Sequence, residues 1–473
     1  MRGGRANVGQ TAATNPISVQ YVKICSLYGV GFYYIPGTDM CLKVGGWARF
    51  ETGFGYNGSF TTEFFNNNLS NRSTNDNNWR VKGVASFDAR SQTEYGTVRS
   101  YITLGVSTNN NGDDGAATAT YANRWFIQWA GFTIGHSTSF FDFYSVGANQ
   151  YSWAHAGSDS GDGGWTVFGY TAHFGNGLSA SLSAEQQRRT RIANAATMTT
   201  IAGFAPLASN AVGGNYEGHD YPDVVANLRV DQAWGSAQIM GALHNVAATY
   251  YTGFNDVAHP DDRMGFAVGA GIKLNVPMIG PGDYFQAEVD YAQGATRYVN
   301  MTATVWDYSK YNGNEFGWGF NTDAVYGGSP AAGTASALEL TTAWGVMAAY
   351  THNWNAAWKS SLWADYMAVS YNSNANNMLC DAGIGVNAGS AAVAVPGCNM
   401  DWQTWGVGLR TQWAVSSTFQ IGLEVLYARL QSADAPLGII NLPTNSTKPA
   451  GTYVVSDQDN WAFRFRVNRD FYP

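Results

Sequence analysis

Apolar and polar residues alternate with a period of two along most of the chain, while stripes at heptad or 3.6-residue spacing are nearly absent. From Arg80 to Arg90 the polar side chains hold the even positions, Val84 excepted, and Val81, Gly83, Ala85, Phe87 and Ala89 hold the odd ones. Similar runs cover 97–106, 227–231, 266–274, 285–291, 359–365, 404–412, 421–428 and 461–468. In Phe463-Arg464-Phe465-Arg466-Val467-Asn468 the alternation describes a strand with one wet side and one apolar side.

Sixteen strands are predicted, beginning near 44, 78, 94, 121, 131, 165, 177, 222, 235, 263, 283, 337, 356, 400, 417 and 459. The connections alternate in length. Seven are short, at 91–93, 130–131, 175–177, 233–235, 277–282, 353–355 and 414–416; eight are long, near 57–77, 108–120, 138–164, 191–221, 247–262, 299–336, 372–399 and 431–458. A meander with its long loops on one side and its tight turns on the other has strands running alternately up and down. An even count brings both chain ends to the tight-turn side, so the first and last strands can pair into a barrel without edges.

Charged alternates such as Arg49, Glu51, Asp88, Glu288, Asp365, Arg410 and Glu424 are too many to bury dry, so they line water. Their neighbours are Val, Ala, Leu, Ile, aromatic residues and Gly, as in a lipid-facing band with an aromatic girdle. Hydrocarbon forces closure, because an open edge leaves N–H and C=O groups unpaired. Sixteen strands leave an aqueous lumen. The expected fold is therefore an all-β transmembrane antiparallel up-and-down barrel.

Composition agrees. Charged residues are 13% of the 473, about half the roughly 25% usual in soluble proteins. Mean hydropathy is only −0.21, and no stretch approaches the ~18 uncharged apolar residues of a spanning helix. Net charge −8 argues against a nucleic-acid scaffold, and 17 Trp, 27 Tyr and 24 Phe argue against disorder. Cys25 with Cys41 and Cys380 with Cys398 are local pairs, which suggests two disulfides and an oxidising compartment; four unpaired thiols are the alternative. Residues 1–20 have no apolar core of a signal peptide, so an export signal has been removed or lies outside this sequence.

A wide tube discriminates poorly, so its narrowing carries the function. The third long connection opens with Phe140, Phe141, Phe143 and Tyr144, which need something to pack against. Folded into the lumen, it would bury these rings on the wall and present Asp142, Asp159 and Asp162 to the pore; an extracellular loop with a small apolar cluster is the alternative. The first three strands and the last supply Arg49, Arg80, Lys82, Arg99, Arg464 and Arg466 on lumen-side alternates. Such a cationic wall facing carboxylates would set a transverse field. Roughly half of these cations are expected in salt bridges to carboxylates such as Glu51 or Asp88.

Enzymatic motifs are missing: no metalloprotease His-Glu-x-x-His, no phosphate-binding glycine loop, no nucleophile elbow, no Cys-x-x-Cys. The seven His are scattered, which suggests surface or interface positions. No cofactor is expected. Asp159 to Gly164 and Asn109 to Asp114 have the oxygen ligands for Ca²⁺, though solvated turns explain them better. Arg188-Arg189-x-Arg191 could meet anionic lipid or lipopolysaccharide, or form a solvated rim.

Tyr21-Val22 with Cys25, Tyr34-Ile35-Pro36-Gly37-Thr38 and Cys41-Leu42 resemble the mature N-termini of the general porins of alphaproteobacterial outer membranes. Arg124-Trp125-Phe126-Ile127-Gln128-Trp129-Ala130-Gly131-Phe132-Thr133, continuing into Phe140-Phe141-Asp142-Phe143-Tyr144, resembles the segment leading into that family's constriction loop. The resemblance spans about 21–471. It implies a trimeric sixteen-stranded outer-membrane porin with long extracellular loops, short periplasmic turns, a Cys25–Cys41 bond and passive diffusion of small hydrophilic solutes. Trimerisation comes from the resemblance alone; Gly46, Ala48, Gly83 and Ala85 permit it. Pro473 after Phe471-Tyr472 departs from the usual aromatic end, and the Cys380–Cys398 pair and the long late loops are not family marks. The chain divides into an extension (1–20), a periplasmic disulfide-closed segment (21–43) and the barrel (44–473), with a constriction loop about 138–164. The alternatives are a sugar-selective channel with Trp47, Trp153, Trp165 and Trp363 as a stacking path, and a soluble Trp-rich carbohydrate-binding all-β protein.

Overall fold

The structure, a computed structural model, describes residues 23–56, 64, 76–112, 115–152, 156–161, 163–196, 216–251, 258–300, 307–381, 398–433, 439–442 and 451–471. Sixteen antiparallel strands close on themselves: β1 (Cys41–Phe54), β2 (Asn77–Thr93), β3 (Gly96–Gly112), β4 (Gly115–Trp129), β5 (Phe132–Ser137), β6 (Trp165–Gly175), β7 (Leu178–Glu185), β8 (Asp223–Gln232), β9 (Gly235–Val246), β10 (Arg263–Asn275), β11 (Tyr284–Gln293), β12 (Thr342–Asn353), β13 (Trp358–Ser370), β14 (Trp402–Ser416), β15 (Phe419–Gln431) and β16 (Gln458–Asp470). Each pairs with its neighbour in sequence, and β16 pairs with β1 from Trp47↔Asp470 to Phe54↔Phe463. Among the described residues no helix is long and apolar enough to cross a membrane; the crossing is made by strands.

The burial pattern is inverted relative to a soluble protein. Phe463 and Phe465 are 44% and 37% exposed while Arg464 between them is 1% exposed. Glu51, Glu185, Glu288, Glu424 and Arg410 are likewise buried inside, and Val81, Leu104, Ile127, Phe168, Ile239, Val289, Leu362 and Leu423 cover the outside. The apolar alternates thus face hydrocarbon, and closure of β16 on β1 leaves the sheet without an open edge there.

One of the eight long connections is not a loop. Residues 108–120 are mostly the paired ends of β3 and β4, which run in register from Arg99↔Gln128 to Gly112↔Gly115 with two irregularities. Beyond the membrane both faces of such a ladder are wet, so Asn, Thr and Gly there say nothing against a strand. Asp113 and Asp114, in the proposed Ca²⁺ stretch, lie outside the described residues.

Loops on the long-connection side fold into layers. A hairpin (307–312 with 315–320) joins 451–455 and 439–442 in a four-stranded sheet, and 192–194, 324–326 and 339–340 form another of three. Helix Ser373–Asp381 ends near Cys380, which is bonded to Cys398. Trp318, Phe320, Tyr371, Trp402 and Tyr453 share one buried core with Phe141 and Ala156 of the third long connection, so this cap stacks directly on that segment. At the opposite end the Cys25–Cys41 bond ties the N-terminal segment to the start of β1.

Candidate functional site

Closure creates a wall that no single stretch of sequence contains. On the rung where β16, β1 and β2 meet, Arg466, Glu51 and Arg80 sit side by side. Glu51 is fully buried and accepts from both guanidiniums, at 2.5 Å from Arg466 and 2.6 Å from Arg80. The next rung carries Asn468, Arg49 and Lys82. Arg49 donates to Asn468 Oδ1 at 3.0 Å and lies 4.2 Å from the Trp47 ring.

Opposite stands the 138–164 segment, with a single helical turn at Val146–Asn149. Its backbone is held by the barrel wall. Carboxylates on lumen-side alternates accept its N–H groups: Glu185 from Phe140 (2.9 Å), Glu288 from Tyr144 (2.7 Å) and Ser158 (2.8 Å), Glu424 from Tyr151 and Ser152 (both 2.6 Å). Wall donors take its carbonyls: Asn227 that of Phe140 (2.6 Å), Arg410 those of Gly147 and Gln150 (3.2 and 3.3 Å), Arg464 that of Tyr151 (2.6 Å). A segment crossing a barrel has no ladder of its own, and these side chains supply the partners its backbone requires.

The rings dock where the wall has no side chain. A Cβ added to Gly169 would stand 2.4 Å from the Phe140 ring, and one on Gly271 would stand 2.1 Å from that of Phe143. Phe141 is fully buried with its ring centroid 4.8 Å from that of Tyr298, and Tyr144 is buried with Val146, Met347 and Trp363.

Between segment and wall lies a cavity of about 490 Å³. Arg49, Arg80, Lys82, Arg464 and Arg466 line it, and so do Asp142 and Asp159. Arg124, not singled out beforehand, joins them and donates to Gly161 O at 2.6 Å. Arg99 is elsewhere: with Arg90 it holds Asp88, at 2.9 and 2.7 Å, towards the tight-turn end. Asp162 lies outside the described residues.

Asp142 lines the cavity, but its charge is held by a partner. Its side chain is 4% exposed, pairs with Arg188 at 2.7 Å, and accepts from Ser158 Oγ (2.8 Å) and the Ser160 N–H (2.6 Å). Asp159 accepts the N–H groups of Val146 (3.0 Å) and Gly161 (2.6 Å), which commits its oxygens to the loop. Among the described residues no group of three or more His, Cys, Asp or Glu is placed to hold a metal ion.

The basic triplet points inward rather than to lipid. Arg188 is buried on Asp142, and Arg189 donates to the carbonyls of Glu217 and Gly218, both at 2.8 Å. His244 is also no surface residue; it is fully buried between Asp223 (2.7 Å) and Tyr216 (2.8 Å). The wall carboxylates were legible as lumen-facing, but their use as receptors for a crossing backbone depends on contacts 45 to 273 residues apart in the chain.

A family described as "Porin subfamily" matches residues 11–463. The porin Omp2b of Brucella suis is 27% identical over 260 residues, 51% of this chain and 62% of that protein. Outer membrane protein IIIA of Rhizobium leguminosarum bv. viciae is 32% identical over 131 residues, 28% of this chain and 31% of that protein. The chain thus spans about a third to two thirds of the curated relatives it matches. Among solved structures, the outer membrane channel DcaP of Acinetobacter baumannii aligns with a TM-score of 0.57 at 12% identity, over 93% of this chain and 99% of that one, a likeness of fold.

Proposed function

The chain belongs to the porin subfamily, and from that premise we propose that it forms a water-filled channel in the outer membrane through which small hydrophilic solutes and ions diffuse passively. The observation that carries this reading is the crossing segment 138–164, held by Glu185, Glu288, Glu424, Arg410 and Arg464, which leaves a polar passage beside the wall of Arg49, Arg80, Lys82 and Arg466. The protein breaks no bond; it sets a width and a field. Lipid is the outer solvent, and a homotrimer is the assembly we propose. A shallow apolar concavity over Gly83, Ala85, Leu104 and Val106 on the outside of β2 and β3 supports such a contact.

Three features weigh against a sugar-stacking track. Trp363 is 2% exposed beneath the crossing segment, and Trp165 lies against Arg188 and Arg297, at 5.4 and 4.8 Å. Trp47 carries Arg49 on its face, and Trp153 is outside the described residues. A soluble lectin-like protein would not coat itself with exposed Val, Leu, Ile and Phe.

The test is recording from the purified chain in planar lipid bilayers. Stepwise, ohmic conductance from a detergent-extracted, heat-modifiable oligomer is the expected result. Solubility without detergent and silent bilayers would refute the channel; saturable block by one neutral sugar would favour the selective alternative.

A further inference from the structure

We propose that His244 is a positioning residue for the passage: while its imidazole is a cation it clamps the long-loop side of the barrel onto the crossing segment, and losing that proton slackens the clamp. This rests on the channel reading above.

Hydrogen-bond geometry fixes the charge. His244 is fully buried towards the long-loop end of β9, with Nδ1 2.7 Å from Asp223 Oδ1 and Nε2 2.8 Å from the Tyr216 hydroxyl. A carboxylate only accepts, so Nδ1 carries a hydrogen. The Tyr216 hydroxyl has one hydrogen and donates it to Asp323 Oδ2 at 2.7 Å, so towards His244 it accepts, and Nε2 carries a hydrogen as well. An imidazole with hydrogens on both nitrogens is positively charged. Among the described residues, Asp223 and Asp323 favour that charge, while Arg189, 4.5 Å from the Tyr216 ring, and His219 oppose it. The neighbouring strand β10 sets only Gly265 opposite.

Asp223 carries the effect to the passage. Its Oδ2 accepts from the Arg188 N–H (2.9 Å) and the Tyr298 hydroxyl (2.8 Å). Arg188 in turn holds Asp142 and Ser158 Oγ of the crossing segment, both at 2.7 Å, and the Tyr298 ring packs on Phe141. Asp323 gathers the loops above, accepting the N–H groups of Thr190 and Thr296, both at 2.7 Å. Loss of one proton from His244 changes two contacts. The cation between two buried carboxylates disappears, and the Tyr216 hydroxyl turns to the bare nitrogen and leaves Asp323. Buried charge without its partner is costly, and admitting water relieves it. Tyr216 then parts from Asp323, and Asp223 holds Arg188 and Tyr298 less firmly. The clamp is complete in acid and is lost as pH rises.

The experiment records the full chain in planar bilayers at symmetric salt between about pH 5.5 and 9. As pH rises, conductance should increase in one step, with open-channel noise up by about twofold or more. His244→Gln, which does not titrate, should be noisy at every pH and show no step. His136→Gln alters the imidazole that lies 2.6 Å from Gly163 O in the same segment, and it should keep the step. Conductance without a step, or a step that survives His244→Gln, overturns this inference and leaves the channel standing; no conductance removes both. If His244→Gln does not reach the heat-modifiable form, Tyr216→Phe decides. It removes the acceptor of the second imidazole N–H, so the step should move to lower pH by about one unit or more, and an unmoved step overturns the inference.

Discussion

Asp142 and Arg188 form an ion pair with both side chains 4% exposed, joining two loops across 46 residues of chain. Removing one member of such a pair strands the other charge and costs about 3–5 kcal/mol. Asp142→Asn keeps the shape and part of the hydrogen bonding to Ser158 and Ser160, so its effect should be a loosened crossing segment rather than a selectivity change. We expect noisier, larger single-channel conductance and faster proteolysis within 138–164, with the reversal potential little altered. A shift in selectivity at unchanged conductance would mean that the Asp142 charge acts on permeating ions despite its pairing. Arg99 teaches the converse lesson: Arg99, Arg90 and Asp88 were all visible on β2 and β3, but which of the six wall cations meets the throat depends on height along the barrel, which alternation does not encode. Asp283, in the turn before β11, accepts from the Asn353 N–H (2.8 Å), the Tyr350 hydroxyl (2.7 Å) and His352 Nδ1 (2.6 Å). Burial alone would raise its pKa, but these donors hold it down at about 2. A depressed carboxyl stabilises the fold above its unfolded value of about 3.9, and that contribution is lost as pH falls through about 2. Asp283→Asn should therefore melt lower at neutral pH, and the gap to the unaltered protein should close between about pH 4 and 2 in a thermal melt.

Strands were the most legible elements, because lipid outside and water inside keep the period of two clean in Phe463 to Asn468 and in Arg80 to Arg90. Legibility failed where that contrast ends. Thr108↔Thr118 and Asn109↔Ala117 pair as strand in a stretch whose composition reads as loop, since water lies on both sides there. The crossing segment was legible through its aromatic opening, but its seat was not. Gly169 and Gly271 look like ordinary strand glycines, yet they are the sockets for Phe140 and Phe143. Neither ring could yield without leaving the wall, so Gly271→Val should push Phe143 into the passage and Gly169→Val should lift Phe140. The expected readout is single-channel conductance changed in each variant, with the heat-modifiable band retained because the ladder itself is untouched. Unchanged conductance in both would mean the rings do not set the position of the segment.

At the scale of the whole molecule, the barrel is a rigid frame carrying a second, soluble-like core above its lumen. The sixteen-strand closure followed from counting connections, whereas the cap did not, because its strands are short, its pairings join loops far apart, and its Asn and Gly content resembles solvated chain. Trp402 links the two layers: it stands at the start of β14, is 2% exposed, donates to Phe320 O at 2.7 Å and packs on Tyr308 with ring centroids 4.6 Å apart. Truncating a buried Trp costs about 3–5 kcal/mol, and here that loss falls on the cap, since the β13–β14 and β14–β15 ladders run on from Val369↔Trp402 and Gln403↔Gln431 without needing the indole. Trp402→Ala should therefore uncouple cap from barrel. Protease sites in 307–326 and 432–457 should open, conductance should rise as the passage loses its cover, and the detergent-resistant barrel should keep its melting transition within a few degrees. If instead barrel and cap melt together at a much lower temperature, the two are one cooperative unit, and the cap is part of what keeps the barrel closed.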